Sequence, residues 1–250
     1  MAGHSHWAGI KHKKALVDAK RGKLWSKLAK AIIVAAKLGG GDPDANIRLR
    51  AAIDEAKAVS LPKENIQRAI KRGAGGGDSE QYDEVVYEGY GPNGVAVLCE
   101  GLTDNRNRTA PEIKKIFEVC GGKLGASGCV AWNFEKKGMF LVPAGKMGED
   151  ELMELALEAG ADDVQQVEDN QFEITCAPAA YDTVAKALDT AGIVPEATQL
   201  SLIPKDTAKV EDVETASLVL KLIEMLDDHD DIQAVSSNYS IPDEIMEQLD

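Results

Sequence analysis

The chain has 250 residues, 44% of them hydrophobic, and carries 28 Lys and Arg against 42 Asp and Glu, a net charge of −14. This length allows one large domain or two to three small ones, and the apolar content is ample for hydrophobic cores. The four cysteines form no C-x-x-C pair, and no run of about 18 apolar residues occurs, which argues against a zinc site, a disulfide framework and a membrane span. The first residues lack the apolar core of a signal peptide, so we expect a cytoplasmic protein.

Charge is distributed unevenly along the chain. Residues 1–77 contain 16 Lys and Arg against 6 Asp and Glu, a net charge of +10, whereas residues 141–250 contain 5 against 26, a net charge of −21. A basic segment on an acidic protein indicates a polyanionic partner. The acidic part would be repelled by a phosphate backbone, so we expect it to lie outside any nucleic-acid footprint.

The pattern of the basic segment predicts a small helical unit followed by a linker. Its apolar residues recur at helical spacing, and Gly and Pro interrupt the pattern. Asp42 followed by Pro43 predicts a helix start, with the aspartate as N-cap and the proline in the first turn. We predict a basic arm over residues 1–19, helices over residues 20–38, 42–59 and 62–72, and a Gly-rich hinge over residues 73–77.

The first predicted helix carries a row of lysines at positions 20, 23, 27, 30 and 37, which share an arc of about 100°. Leu24, Leu28 and Ile32 occupy the neighbouring arc. No acidic residue lies between Lys20 and Gly41, so these lysines have no local partner, and we expect the row to face outward and contact phosphates. Arginines suit base edges or bidentate phosphate contacts. The candidate nucleic-acid-binding residues are Lys11, Lys13, Lys14, Lys20, Arg21, Lys23, Lys27, Lys30, Arg48, Arg50, Arg68, Arg72, Arg106 and Arg108.

After residue 77 the hydrophobic period changes from that of helices to that of strands. We predict strands over residues 85–90, 94–100, 129–134, 139–142, 164–167, 172–176, 198–202 and 232–239, and helices over residues 105–119, 149–159, 179–190 and 213–226. The elements from 139 to 202 form a complete βαββαβ set, which is typical of a ferredoxin-like unit. The last helix and strand would complete the unit that precedes it.

This order predicts an insertion. We expect a multidomain α and α+β protein, in which an N-terminal three-helix unit precedes two ferredoxin-like α+β domains, one inserted into the other. The predicted domains are residues 1–77, residues 79–135 with 206–240, and the inserted residues 136–205. Three sequential domains would leave the last helix and strand without a sheet to join, and unpaired strand edges are costly.

Three other features of the sequence bear on possible binding or catalytic sites. The glycines before Asp42 and Asp44 do not form a phosphate loop, because the carboxylates would repel an anion and no Gly-Lys-Ser/Thr follows. Arg106 and Arg108 stand in the first turn of a helix capped by Asn105, where the helix dipole disfavours cations. This local cost indicates a contact with phosphate or with a neighbouring domain. No catalytic spacing occurs, and we expect no enzyme activity, no metal and no cofactor.

Several segments together resemble the YebC/PmpR family. They are MAGHS at residues 1–5, DAKRG at 18–22, GGGDPDAN at 39–46, YEGYGP at 87–92 and LTDNRNRT at 102–109. The sequence departs from the family pattern at His6, Gly9 and Cys129. The resemblance implies three domains, with the third inserted in the second, and a probable DNA-binding transcriptional regulator. Relatives implied by the same resemblance include a mitochondrial translational activator and ribosome-associated factors.

Three functional hypotheses follow. The first is a transcription regulator on duplex DNA, and the second is a translation factor that binds ribosomal RNA, with the ribosome as a partner. The third is an interaction scaffold whose basic unit docks on the acidic domains. The residues do not separate the first two, although the absence of a clear helix-turn-helix pattern favours RNA or non-specific binding. We expect no membrane contact.

Overall fold

Residues 21–75, 82–145, 147–167 and 171–249 are described by a computed structural model. The helices are α1 (Arg21–Gly39), α2 (Ile47–Ala58), α3 (Lys63–Ala74), α4 (Arg106–Val119), α5 (Glu149–Glu158), α6 (Tyr181–Thr190), α7 (Val213–Asp227) and α8 (Asp243–Met246). The strands are β1 (Asp83–Tyr90), β2 (Ala96–Thr103), β3 (Lys123–Leu124), β4 (Phe134–Pro143), β5 (Ala161–Val167), β6 (Gln171–Cys176), β7 (Ala197–Pro204), β8 (Ala208–Lys209), β9 (Ile232–Ser237) and β10 (Tyr239–Ser240). Within these ranges no helix combines the length and the apolar character needed to cross a membrane. The predicted arm over residues 1–19 lies outside them.

The first three helices form a helical unit with its own core. Leu28 and Ile32 of α1 pack with Leu49 of α2 and Ile66 of α3, and all four side chains are buried. Gly73 allows α3 to approach α1 closely, because a Cβ at this position would lie 2.3 Å from the Ile33 carbonyl oxygen. The predicted hinge is therefore wrong at residues 73 and 74, which belong to α3, and Gly73 packs against α1.

The start of α2 differs from the prediction. The N-cap is Asn46 rather than Asp42, because the Asn46 Oδ1 accepts a hydrogen bond from the backbone N–H of Leu49 at 3.1 Å. The Asn46 Nδ2 donates to the Ala35 and Gly40 carbonyl oxygens at 2.8 and 2.9 Å. One buried amide thus caps α2 and binds carbonyl groups at the end of α1.

A four-stranded antiparallel sheet of order β3-β1-β2-β9 follows, with α4 and α7 packed on one face. Its core joins Val97 of β2 to Phe117 of α4 and Leu222 of α7. Because β9 pairs with β2, the last long helix and strand belong to this first sheet. The strand predicted over residues 232–239 is divided at Asn238: β9 belongs to this sheet, whereas β10 pairs with β8 in a two-stranded parallel ladder.

The chain between β3 and α7 builds a second four-stranded antiparallel sheet of order β5-β6-β4-β7, which with α5 and α6 has the βαββαβ order of ferredoxin-like units. Phe140, Ile174 and Leu188 are buried in its core. The predicted fold class is confirmed: a helical N-terminal region precedes α+β domains with antiparallel sheets. The domain boundaries stay a prediction.

One predicted strand is wrong. Residues 129–133 form a loop and a 3-10 turn, and β4 begins at Phe134 and continues without a break to Pro143. The backbone N–H groups of Gly128, Val130 and Ala131 donate instead to the Glu88 carboxylate, at 2.6, 2.9 and 2.8 Å. The Glu88 side chain of β1 therefore accepts hydrogen bonds from backbone N–H groups that would otherwise pair with a neighbouring strand.

Candidate nucleic-acid interface

Three lysines of the predicted row contact the C-terminal end of α7. The Lys23 ammonium donates to the Asp228 carbonyl oxygen at 3.1 Å and to its Oδ2 at 3.2 Å. The Lys30 ammonium donates to the Asp230 carbonyl oxygen at 3.0 Å and to the Asp231 Oδ1 at 2.9 Å. Between them, the Lys27 ammonium donates to the Asp227 carbonyl oxygen. We call this contact between α1 and residues 227–231 the lysine clamp.

The clamp has a simple electrostatic basis. The last carbonyl groups of a helix have no partner within the helix, and the macrodipole makes this end negative. Four aspartates lie in residues 227–231, and only His229 interrupts them. Three ammonium groups at helical spacing therefore meet a negative helix end and a row of carboxylates.

The expectation that the whole lysine row faces outward is corrected by this contact. Lys27 is only 8% exposed, and the Lys30 side chain also lies over the Tyr82 ring, 5.7 Å from its centroid. The partners of both lysines lie about 200 positions away in sequence, as the separations of 200 and 201 residues show. Helical spacing could reveal the shared face of the lysines but not the acidic helix end that covers it.

Asp231 is the centre of the clamp. Its buried carboxylate accepts hydrogen bonds from the Arg108 Nη2 at 2.6 Å, the Thr109 hydroxyl at 2.8 Å and the Thr103 hydroxyl at 3.2 Å, in addition to Lys30. Burial by itself would raise the pKa of Asp231, but the hydrogen bonds from Arg108, Lys30 and Thr109 outweigh it and hold the pKa well below its usual range. Asp231 thus joins the helical unit to the first sheet as a charged, fully partnered group.

The two arginines at the start of α4 find their partners inside the protein. Arg108 donates to Asp104 at 2.8 Å as well as to Asp231. The Arg106 Nε donates to the Asp83 carboxylate at 2.9 Å, and its Nη2 donates to the Glu84 carbonyl oxygen at 3.1 Å. These ion pairs offset the unfavourable position of the arginines at a helix N-terminus, so no phosphate is needed to explain them.

A cavity of about 690 Å³ opens beside the clamp between α1, α4 and the end of α7. His229 lies in its wall, where its Nδ1 accepts the backbone N–H of Asp231 at 3.1 Å. The ring proton is therefore on Nε2, which donates to the Glu112 carboxylate at 3.1 Å. The lining combines cations with a larger number of carboxylates, so the cavity does not offer a cationic site for a polyanion.

The remaining arginines of the helical unit fall into two groups. Arg48 pairs with Glu84, and Arg50 donates to the Pro43 and Asp44 carbonyl oxygens at 3.1 and 2.9 Å, which fixes the turn before α2. Arg68 and Arg72 instead stand on the exposed face of α3, where they line a groove of about 290 Å³ against α1.

The predicted site residues are thus divided by the structure. Lys11, Lys13, Lys14 and Lys20 lie outside the described residues, and of Arg21 only its place at the start of α1 is described. Lys23, Lys27, Lys30 and Arg108 meet at the lysine clamp. Sequence reasoning missed the aspartates of residues 227–231 as partners. The available signal was an acidic run at the end of a predicted helix, complementary to the lysine row.

Together, the fold and the clamp define a class of protein: a basic three-helix unit held against an acidic α+β body that contains an inserted ferredoxin-like domain. Family comparison agrees with this architecture. The family model described as "TACO1/YebC protein N-terminal domain" matches residues 5–76, and the model described as "TACO1/YebC second and third domain" matches residues 82–239. The chain belongs to the TACO1/YebC family.

Similar proteins cover almost the whole chain. A protein of Rhodopirellula baltica, named probable transcriptional regulatory protein RB5500, is 55% identical over 244 residues, which are 98% of each chain. A probable transcriptional regulatory protein of Moorella thermoacetica is 52% identical over 252 residues and covers both chains fully. The crystal structure of the conserved hypothetical protein Aq1575 of Aquifex aeolicus is 51% identical, with a TM-score of 0.81 over 95% of this chain and 98% of that one.

Proposed function

We propose that this protein is a non-enzymatic regulator of gene expression that binds duplex DNA through its N-terminal helical unit. The observation that carries the proposal is the exposed face of α3. Arg68 and Lys71 are exposed there, about 60° apart, and neither makes an ion pair with another described residue. The exposed Glu64 lies on the same face, one turn before Arg68, without bonding to either of them. Neighbouring exposed cations that bond to no carboxylate are the electrostatic footprint of phosphate binding.

The short connection before α3 is compatible with duplex DNA as the partner. Residues 59–62 alone join α2 to α3, a connection length found in helix-turn-helix units, in which the second helix enters the major groove. The buried residues Ile66, Ala69 and Gly73 lie on one face of α3, so Arg68, Lys71 and Arg72 point away from the core. Relatives at about half identity are named probable transcriptional regulatory proteins, which agrees with this proposal.

In this proposal α1 contacts the rest of the protein rather than the polyanion. Lys23, Lys27 and Lys30 hold the helical unit against α7, so a polyanion that contacts α3 can bind while the clamp stays closed. The acidic body then keeps its negative surface away from the phosphates and reduces indiscriminate binding.

A salt-dependence experiment tests the proposal. Arg68→Gln with Lys71→Gln should weaken binding of a labelled duplex and reduce the slope of log K against log salt by about 2, since each phosphate contact contributes about 0.9. Lys114→Gln with Lys186→Gln removes two exposed charges from α4 and α6 and serves as the matched control. An unchanged slope in the α3 variant would contradict the assignment.

Ribosomal RNA is the alternative partner of the same face. Co-sedimentation with ribosomes, compared with retention on duplex DNA at the same salt concentration, separates the two. If the wild type binds ribosomes but not duplex DNA, and the α3 variant loses ribosome binding, the protein is a ribosome-associated translation factor.

A further inference from the structure

Two aromatic side chains are open to solvent at one end of the first sheet. Trp132, in the 3-10 turn before β4, is 63% exposed, and Tyr90, the last residue of β1, is 40% exposed. The Trp132 Nε1 and the Tyr90 hydroxyl both donate to the carbonyl oxygen of Cys129, each at 2.9 Å. Because their polar atoms already have a partner in the protein, the rings can offer their π faces to a ligand.

The loop that carries Trp132 is held in place. The buried Glu88 carboxylate accepts the three backbone N–H groups of the loop described above, and these bonds lower the pKa of Glu88 although burial by itself would raise it. Gly125 packs so closely that an added Cβ would lie 2.4 Å from the Cys129 Sγ, and Gly128 has φ +85°. The aromatic rings are thus presented by a preorganised segment, which lowers the entropy lost on binding.

Three lysines lie in segments next to the aromatic pair. Lys123 lies opposite Tyr90 in the pairing of β1 with β3. The backbone N–H of Lys205 donates to the carbonyl oxygen of Asn133, next to Trp132, at 2.7 Å. The carbonyl oxygen of Lys209 accepts a hydrogen bond from the Asn93 side chain, in the turn after β1, at 2.8 Å.

The charge of this region departs from that of the surrounding protein. All three lysines are exposed, and none makes an ion pair with another described residue. Carboxylates are exposed in the same segments, at Glu135, Asp206 and Glu211, and none of them pairs with these lysines. Two of the three lysines are among only five Lys and Arg in residues 141–250. We call Tyr90, Trp132 and the three lysines the aromatic–lysine patch.

We infer that the aromatic–lysine patch binds an unpaired stretch of nucleic acid, by stacking Trp132 and Tyr90 on bases and placing the lysines near phosphates. This inference rests on the proposed function, because it assigns a second contact to the same kind of partner. Tyr90 lies at the end of β1 opposite to Asp83, the partner of Arg106, and the seven steps between them span about 23 Å at 3.3 Å per residue. A partner that reaches both the helical unit and the patch therefore needs an unpaired segment, since a base in a duplex has no free face for stacking.

Binding of a labelled single-stranded oligonucleotide by the full-length protein tests the inference. Trp132→Ala should weaken binding by about 5- to 150-fold, the factor that corresponds to the loss of about 1–3 kcal/mol per stacked base. Trp132→Phe should keep most of the affinity. Val194→Ala, which removes an exposed apolar side chain from the inserted domain, is the matched control and should change nothing.

Salt and duplex measurements distinguish stacking from charge. Trp132→Ala should leave the salt slope unchanged, whereas Lys123→Gln should reduce it by about 0.7, the value per contact on a single strand. Neither substitution should alter affinity for a blunt duplex. Circular dichroism melting confirms that each variant is folded.

The outcomes separate the two proposals. If Trp132→Ala binds the single strand as tightly as the wild type, the inference is overturned, while loss of duplex binding in the α3 variant still supports the proposed function. If Trp132→Ala instead loses a protein partner and keeps oligonucleotide binding, the patch is a protein-binding surface and the inference is wrong. A wild-type protein that binds neither form of nucleic acid at physiological salt overturns both.

Discussion

The Asp231→Asn substitution should weaken the lysine clamp. The resulting loss in the free energy of unfolding can be estimated from the contacts of the carboxylate. Asparagine keeps the shape but removes the charge that Lys30 and Arg108 share. Removing one partner of a buried ion pair costs about 3–5 kcal/mol, because the remaining charge stays uncompensated. Arg108 retains Asp104, and 44% of its side chain is exposed, so we expect a loss of about 2–4 kcal/mol in the free energy of unfolding.

The pH dependence gives a second and sharper test. The pKa of Asp231 is lowered in the folded protein, so its stabilising contribution is fully present above the unfolded value of about 3.9 and is lost as pH falls through the folded value. The difference in the free energy of unfolding between the wild type and Asp231→Asn should therefore be constant from pH 5 to 8, at about the 2–4 kcal/mol estimated above. Below about pH 4 this difference should decrease.

Urea denaturation followed by circular dichroism at pH 7 and pH 3 measures both effects. Glu118→Gln is the matched control, since it breaks an exposed ion pair with Lys114 at 3.7 Å, which contributes only about 0.3–0.5 kcal/mol. An Asp231→Asn protein within 0.5 kcal/mol of the wild type, or a difference independent of pH, would refute the clamp as a stabilising contact.

Two further substitutions test the packing of the helical unit and the start of α4. Gly73→Ala should lower the melting temperature, because its Cβ would collide with the Ile33 carbonyl oxygen, and such overpacking costs about 1–3 kcal/mol. Gly22→Ala should instead raise the melting temperature, because a Cβ at this position would have no other atom within 4 Å. Equal changes in melting temperature for the two variants would refute the close packing at Gly73. Asn105→Ala should cost about 1 kcal/mol by removing the cap on the Arg108 N–H, whereas Asn105→Asp should not, as chemical denaturation will show.

Much of the fold was predictable because local physics sets it. Alternation of apolar residues and the βαββαβ order of residues 139–202 predicted the second sheet, and the observed strands β4 to β7 with α5 and α6 confirm this fold class. Asn105 was recognised as a cap because a side-chain acceptor before a helix acts within three residues. The start of α2 was mistaken because Asn46 also binds carbonyl groups of α1, a contact that sequence spacing does not reveal.

The candidate site was predictable only in part. The face of α3 with Arg68 and Arg72 follows from helical spacing, and the structure leaves it exposed. The aromatic–lysine patch was not predicted, since Tyr90, Trp132 and Lys205 come from three separate segments. The hydrogen bonds of Tyr90 and Trp132 to the Cys129 carbonyl oxygen and the hydrogen bond between Lys205 and Asn133 bring these segments together.

The amino-acid sequence by itself determined the charge asymmetry, the helical and strand periods and the shared face of the lysines, because each depends on neighbours a few positions apart. Only the tertiary structure decided what the lysines face. Their partners, the carbonyl groups and carboxylates at the end of α7, are about 200 residues away, and they become neighbours only when β9 pairs with β2 and α7 packs on the first sheet. Electrostatic attraction acts through space, so Lys23, Lys27 and Lys30 of α1 became part of an interface within the protein, while Arg68 and Lys71 of α3 stayed open to solvent.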